Sequence, residues 1–448
     1  MSDQPVLAPL LTPETWELLN ALPEYDPQSA DQLNHQLRRN GWSPEVVAAA
    51  LTQMRLRRDA RAKFGQFADR MLLTQQGLEQ ATRLPVAARH AQRFRSAGID
   101  HAADLGCGLG ADAMALASSG VRVTAVEADE TTAAAATMNL LPFPEAQVVH
   151  STAERWAAEH LGVPEPADEA ADADPAAGPA TEQLPEGLGV WMDPARRTER
   201  GRLWDPEDFS PPLSMVTALA RTGVPLGVKL GPGMPHDLIP LDCEAEWVSV
   251  EGDLVELVLW FNALARPGAR RTATVLTGDG DQDSHGLPCL QVTPRSSADD
   301  FSSGIEYAPA GREGLRGVLW EPDPAVIRAG LVAELAAEAG GWMLDEHIAY
   351  FCTDASADPG PLARGYRITE VMDFSPKRLK QWCAEQQVTS VEIKKRGVDV
   401  VPEQLRRQIL PKRRSGAPGR HAVLVLTRLG SSRLAVAVEP LAAQRPGT

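Results

Sequence analysis

A glycine-rich loop is the feature that most constrains the fold of this chain. The segment Asp104-Leu-Gly-Cys-Gly-Leu-Gly110 follows a short apolar run and precedes an alanine-rich helical stretch. Glycine lets the backbone approach a ligand closely, and the N-terminus of a helix favours an anionic group. The loop therefore predicts a strand–turn–helix unit whose turn binds a small molecule.

The surrounding pattern predicts an α/β fold. Short β-branched runs alternate with helical stretches, as in a parallel sheet with crossover helices. We place the strands near 100–104, 121–127, 146–150, 188–193 and 225–230. The runs 253–261 and 271–276 predict an antiparallel pair that closes this sheet.

Changes in composition divide the chain into four segments. We predict an N-terminal helical domain over 1–95, an α/β domain over 96–277, an irregular connection over 278–316 and a C-terminal α+β domain over 317–440. Residues 161–187 contain seven acids and no bases, which is typical of a disordered acidic insertion.

Charge and cysteine usage restrict the class of protein. The net charge of the 448 residues is −16, but residues 342–448 carry 17 Lys and Arg against 11 Asp and Glu. The five cysteines are scattered and form no C-x-x-C pair, so we expect neither disulfides nor a metal site, and a cytoplasmic location. No apolar run is long enough for a membrane helix, so no membrane partner is expected.

The glycine loop fits two kinds of nucleotide site, and its neighbours distinguish them. Gly106-x-Gly108-x-x-Ala111 matches a loose dinucleotide fingerprint. However, an acid stands two residues before the first glycine, and Glu127 ends the next strand, where its oxygens can accept both ribose hydroxyls. A dinucleotide turn usually has an apolar residue at the position of Asp104.

With these residues the sequence resembles class I S-adenosylmethionine-dependent methyltransferases, over about residues 99–277. The resemblance implies a Rossmann-like seven-stranded methyltransferase sheet and S-adenosylmethionine as cofactor. It also implies the cofactor-binding residues Asp104, Gly106, Gly108, Gly110, Glu127 and Thr152. A glycine-rich turn with structural acids is the alternative interpretation.

The segment Asp193-Pro-Ala-Arg-Arg197 follows the fourth strand. Methyltransferases that modify exocyclic amines of bases usually have an acidic or amide residue at this point, followed by two prolines and an aromatic residue. This chain has Ala195 in place of the second proline and Arg196 in place of the aromatic residue. We take Asp193, Pro194 and Arg196 as catalytic candidates; a surface turn with solvated arginines is the alternative. Lys229, at the end of the fifth strand, is either a substrate contact or simply exposed, and His236 is a weaker candidate.

Further motifs lie at both ends of the chain: Gly77–Thr82, Ala88–Ala91, Val391–Gly397 and Pro402–Arg407. With these and Asp193–Arg197, nearly the whole chain except the insertions 161–187 and 277–316 resembles a bacterial family of methyltransferases with a C-terminal THUMP-like domain. THUMP domains bind RNA, so the resemblance implies an RNA partner, with contacts from Lys394, Lys395, Arg396, Arg406 and Arg407. A solvated basic face is the alternative interpretation. The segment Gln80–Thr82 is expected either to pack over the cofactor cleft or to join two domains. The basic cluster over 55–63 is expected to be a solvated helix face, with contact to a polyanion as the alternative.

Three functions fit these observations. The first is a methyltransferase that modifies a nucleotide in structured RNA. The second is a methyltransferase for a small molecule or a protein, and the third is a non-catalytic module that binds the cofactor and presents RNA to a partner enzyme. The oligomeric state is left open.

Overall fold

The computed structural model describes residues 7–164, 185–194, 197–198, 201–202, 205–277, 289–290, 307–355, 357–411 and 419–441. The predicted acidic insertion and irregular connection lie largely outside these ranges, as does Arg196. The described chain divides into two compact units. Unit 1 contains residues 1–230 and 259–266, and unit 2 contains residues 231–258 and 267–448. The four predicted domain boundaries stay predictions.

Unit 1 begins with helices, as the sequence predicts. Capping residues and prolines fix their starts: Thr12 and Ser43 accept hydrogen bonds from backbone amides in the first turns of helices that begin at Pro13 and Pro44. The helices are α1 Pro13–Ala21, α2 Ala30–Arg39, α3 Pro44–Phe64, α4 Gln75–Gln80 and α5 Leu84–Ser96.

The prediction that the basic cluster of α3 is a solvated face is wrong for two of its members. Arg57 is buried, donates to the Met71 carbonyl over 2.9 Å and lies over the Trp16 ring. The Lys63 ammonium donates to the carbonyls of Leu78, Glu79 and Ala81 over 2.7 to 2.8 Å. These cations stabilise the helical segment because they satisfy backbone carbonyls that the helices leave unpaired.

The parallel sheet of unit 1 confirms the predicted α/β fold. Strands β1, β2, β3, β4 and β7 lie at the predicted positions, and β1 pairs in parallel with both β2 and β4. The strand order is β9-β7-β4-β1-β2-β3, where β9 (Asp253–Phe261) contributes only its last residues to unit 1. The elements are β1 His101–Leu105, α6 Ala111–Ser118, β2 Arg122–Glu127, α7 Glu130–Leu140, β3 Ala146–His150, α8 Ala153–Leu161, β4 Leu188–Met192, β5 Arg197–Thr198, β6 Gly201–Arg202, α9 Leu213–Arg221 and β7 Leu226–Leu230.

In unit 2 the predicted antiparallel pair is wrong. A strand that the sequence analysis missed, β8 Glu244–Val250, lies between β9 Asp253–Phe261 and β10 Arg271–Leu276, and β10 runs parallel to β8. β8 and β9 are joined by Glu251 and Gly252, both at positive φ, as in a tight hairpin. The short strand β11 Cys289–Leu290 pairs with β10.

Buried carboxylates explain why β8 was missed. Glu244 and Glu246 interrupt the apolar pattern, yet both are buried. Each accepts a hydrogen bond from a threonine hydroxyl of β10, Thr272 over 2.8 Å and Thr274 over 2.5 Å. Paired carboxylates of this kind can occupy a core position that hydrophobicity alone assigns to solvent.

The C-terminal part of unit 2 is a seven-stranded sheet in the order β13-β14-β12-β15-β18-β17-β16. One face carries the core formed with the last two helices, including Leu379, Trp382 and Leu405. Residues 324–338 form two short helices on either side of Gly330. The elements are β12 Val318–Pro322, α10 Pro324–Arg328, α11 Val332–Glu338, β13 Trp342–Asp345, β14 Ile348–Thr353, β15 Ala363–Asp373, α12 Pro376–Glu385, β16 Val388–Arg396, α13 Pro402–Ile409, β17 Arg420–Leu429 and β18 Ser432–Pro440.

Candidate active site

The glycine loop connects β1 to α6 in unit 1. Gly106, Gly108 and Gly110 all have positive φ, between 55° and 88°. The amides of Gly106 and Cys107 donate to the Val126 carbonyl, which fixes the loop against the end of β2. A Cβ on Gly106 would lie 3.3 Å from the Asp193 carbonyl oxygen, so glycine permits β1 and β4 to end close together.

Asp104 lies at the centre of this edge of the sheet. Its side chain is 1% exposed, and its Oδ2 atom has no hydrogen-bond partner within the described residues. Burial raises the pKa of Asp104 well above its ordinary value, and the negative charges of Asp112 and Asp193 raise it further. Folding therefore opposes a charge at this position.

Glu127, at the end of β2, is fixed by the backbone on both sides. Its Oε2 atom accepts from the Gly108 amide over 3.0 Å, and Oε1 accepts from the Asp129 amide over 2.9 Å. Thr152, the other cofactor candidate outside the loop, caps α8 by accepting from the Arg155 amide over 3.1 Å. The preceding residue, Ser151, donates its amide to the Glu127 carbonyl, so β2 and β3 end side by side.

Asp193 and Lys229 form an ion pair at the ends of β4 and β7. Lys229 is 7% exposed, so the interpretation of an exposed lysine is wrong. Its ammonium also donates to the Thr82 hydroxyl over 2.9 Å and approaches the Gln80 carbonyl at 3.5 Å. Pro194 is buried next to this pair. The structure therefore brings the loop, Asp104, Glu127 and Asp193 to one edge of the unit 1 sheet.

Sequence reasoning did not predict the contacts behind this ion pair, although it singled out the segment that contains Thr82. Asp112, on α6, is bonded to the Thr82 hydroxyl and to His90 Nδ1, each over 2.7 Å. All three side chains are buried. Asp112 and His90 are polar residues within helices α6 and α5, and their sequence pattern does not identify their partners.

The remaining candidates lie in unit 2. His236 Nε2 contacts the Arg328 carbonyl at 2.9 Å, and its ring packs edge-on against Trp247. Burial lowers the pKa of His236, and the charge of Arg328 lowers it further. These contacts give His236 a structural role within unit 2.

The five predicted RNA contacts differ in how strongly the protein itself engages them. Lys394 pairs with Glu321 over 2.8 Å and lies over the Tyr366 ring. Arg396 lies over Tyr350, and Arg406 donates to the Val391 carbonyl. Lys395 and Arg407 are exposed, although Lys395 also donates to the Val400 carbonyl.

Among the described residues, no group of three or more His, Cys, Asp or Glu side chains is arranged to hold a metal ion. Within the same residues, no helix combines the length and the apolar character needed to cross a bilayer.

Comparison with known proteins finds relatives along most of the chain. Two curated proteins of Mycobacterium tuberculosis, from strains CDC 1551/Oshkosh and ATCC 25618/H37Rv, are described as uncharacterized S-adenosylmethionine-dependent methyltransferases. Each is 30% identical over 389 residues, which is 85% of this chain and 92% of the relative. Residues 363–440 match the family described as THUMP domain-like, and residues 3–60 match a domain of unknown function.

A crystal structure from Porphyromonas gingivalis W83, of a protein described as a candidate methyltransferase, has the same fold. Its TM-score is 0.68 at 19% identity, covering 93% of this chain and 99% of that one. Fold and relatives together define a class I methyltransferase. The chain belongs to the family of S-adenosylmethionine-dependent methyltransferases, with S-adenosylmethionine as cofactor and a THUMP-like domain at its C-terminus.

Proposed function

We propose that this enzyme methylates a nucleotide of structured RNA. The observation that carries the proposal is the THUMP-like match over residues 363–440, in a chain that belongs to a methyltransferase family. The basic excess of residues 342–448 supports it, because cations attract a polyanion through counterion release. We also propose a cytoplasmic location, where RNA substrates are available.

We propose that Asp104 binds the amino group of the cofactor. Its Oδ2 atom is a buried acceptor with no partner within the described residues, and such an atom is costly unless a ligand satisfies it. Above Gly108, a Cβ would meet no atom within 4 Å, so a ligand can approach the backbone there. These two features fit the methionine end of S-adenosylmethionine.

We propose that Glu127 binds the ribose of the cofactor. Each of its oxygens accepts one backbone amide, which leaves each a second lone pair for a hydroxyl. The two amides hold the carboxylate in one orientation before any ligand binds. Thr152 is the proposed neighbour of the nucleoside, since it follows the residue bonded to Glu127.

We propose that Asp193 orients the substrate atom that receives the methyl group. Bound S-adenosylmethionine supplies an activated methyl group on a sulfonium, so the protein needs chiefly to align the nucleophile. The Asp193 carboxylate can accept a hydrogen bond from that nucleophile and guide its proton away. Pro194 and Arg196 complete the proposed catalytic segment, with Arg196 as a phosphate contact.

For RNA, we assign the largest contributions to the exposed pair Lys395 and Arg407. Lys394 pairs with a carboxylate, while Arg396 and Arg406 make intramolecular contacts that orient them. We propose that these three shape the surface around the exposed pair. Contacts of this kind to phosphate set position more than sequence preference.

Mapping modified nucleosides tests the RNA proposal. Total RNA from cells lacking the gene should lose one methylated nucleoside, and the wild-type gene should restore it. Asp193→Ala should not restore it, and Lys395→Ala/Arg407→Ala should restore it only in part. The matched control is Lys377→Ala/Lys380→Ala, which removes two exposed charges of the same unit outside this pair.

An unchanged nucleoside profile in the deletion strain would contradict the proposal. Methyl transfer to a fraction of the cell extract that resists ribonuclease would then favour a small molecule or a protein as the substrate.

A further inference from the structure

A buried chain of hydrogen bonds joins the N-terminal helical segment to Asp193. We propose that Thr82 is a positioning residue for methyl transfer: its hydroxyl fixes the Lys229 ammonium, which in turn fixes the Asp193 carboxylate. The proposal rests on the proposed role of Asp193. It also predicts that residues 80–82 are part of the catalytic machinery and do more than join two domains.

The direction of each hydrogen bond follows from the chemistry of the groups. An ammonium can only donate, so Thr82 Oγ1 accepts from Lys229 over 2.9 Å. The single hydroxyl proton of Thr82 is then donated to Asp112 Oδ2, 2.7 Å away. Valine cannot make either bond, whereas serine can make both.

Asp112 anchors the far side of Thr82. Burial acts to raise the pKa of Asp112, but His90, Lys229 and the Thr82 hydroxyl outweigh it, and the pKa is lowered. The carboxylate is therefore ionised and accepts from both neighbours, so His90 Nδ1 carries the proton of their 2.7 Å contact.

His90 is held by the strand that bears Asp193. Its ring lies 4.2 Å from the Trp191 ring, centroid to centroid, and 6.0 Å from Trp260. Trp191 is in β4, two residues before Asp193. The network therefore begins and ends on the same strand, which restricts how far any member can move.

The backbone around Thr82 is also held in place. Lys63 donates to the carbonyls of Leu78, Glu79 and Ala81, and so covers the end of α4. At Gly77, a Cβ would lie 2.8 Å from the Leu109 side chain, which shows how closely α4 packs on the glycine loop. The position of Thr82 is therefore fixed before any substrate binds.

Fixing Lys229 matters because several acids surround it. A lysine side chain has four rotatable bonds, so its ammonium behaves as a mobile point charge. Lys229 interacts with Asp104 and Asp112 as well as with Asp193. Without the Thr82 oxygen, the ammonium can redistribute among these carboxylates, and Asp193 loses its fixed partner.

The test compares Thr82→Val with Thr82→Ser. Transfer of labelled methyl is measured into a total extract of cells lacking the gene, which contains RNA, protein and small molecules. We expect Thr82→Val to lower the rate at saturating cofactor about tenfold while the KM for S-adenosylmethionine stays within about twofold. Thr82→Ser should keep more than about half of the wild-type rate, because it retains the hydroxyl.

A matched control separates positioning from stability. Thr124→Val removes another buried threonine hydroxyl in unit 1, bonded to His101 over 3.0 Å, and should leave the rate unchanged. A wild-type rate in Thr82→Val, or an equal loss in Thr82→Ser, would overturn the proposal. Asp193→Ala is measured in parallel: if it loses the rate while Thr82→Val does not, only the positioning proposal fails, and if it keeps the rate, both fail.

Discussion

Asp193→Ala is expected to lower the rate of methyl transfer at saturating cofactor by about three orders of magnitude, with the Kd for S-adenosylmethionine within about threefold. Asp193 directly follows β4 and is paired with Lys229, whereas Asp104 lies in β1 and Glu127 is the last residue of β2. The substitution therefore removes the group proposed to orient the acceptor and leaves the proposed cofactor contacts intact. Methyl transfer and calorimetric titration of the same preparations measure both quantities.

Loss of the ion pair needs its own control, because Asp193→Ala leaves the buried Lys229 ammonium without that carboxylate. We expect a destabilisation of about 2 kcal/mol or more. The double variant Asp193→Ala/Lys229→Met should recover stability but not activity, since it removes the unpaired charge. Asp193→Asn, which keeps an acceptor oxygen, should fall between alanine and wild type. Full activity in Asp193→Ala would remove this residue from the mechanism.

Asp104→Asn is expected to weaken S-adenosylmethionine binding by about 100-fold or more, without lowering the stability of the free protein. An ammonium needs the negative charge that asparagine lacks. Folding, in contrast, opposes that charge, since burial and neighbouring acids raise the pKa of Asp104. Asp104→Asn should therefore weaken cofactor binding without lowering the free energy of unfolding.

The sign of the pH dependence follows from the raised pKa. The groups that face Asp104 are Asp112 on α6, Asp193 after β4 and Glu127 on β2, which raise its pKa, and Lys229 on β7, which lowers it. The unfolded chain loses this proton near the ordinary value of 3.8, before the folded protein does. The contribution of Asp104 to the free energy of unfolding is therefore fully present at low pH and declines as the pH rises toward the folded-state pKa. Asp104→Asn should lack this decline.

Calorimetric titration and thermal unfolding measure these two expectations. Asp100→Asn is the matched control, because it makes the same chemical change at an exposed residue before β1, at the opposite end of that strand. It should bind the cofactor within about twofold of wild type. Wild-type affinity in Asp104→Asn would contradict the assignment of this carboxylate.

Local sequence patterns predict those parts of the fold and the site in which a residue type has one structural use. The glycine loop, the acid at the end of β2 and the N-terminal helices follow from backbone and capping rules. The class of enzyme is what the resemblance carried by the glycine loop and Glu127 implies, and the relatives confirm it.

Sequence patterns do not predict buried polar groups whose hydrogen-bond partners are distant in the sequence. Glu244 and Glu246 concealed β8, because their threonine partners on β10 lie 28 residues further along the chain. The sequence does not predict the burial of Lys229, because its hydroxyl partner, Thr82, lies 147 residues away. Such contacts depend on the tertiary fold, and hydrophobic periodicity carries no information about them.

A crystal structure with S-adenosylhomocysteine bound tests the central claim most directly, because the claim concerns one pocket on the unit 1 sheet. We expect the ligand amino group at hydrogen-bond distance, about 3 Å, from Asp104 Oδ2, and the ribose hydroxyls on the Glu127 carboxylate. A nucleoside bound elsewhere, or one that contacts neither carboxylate, would contradict the claim.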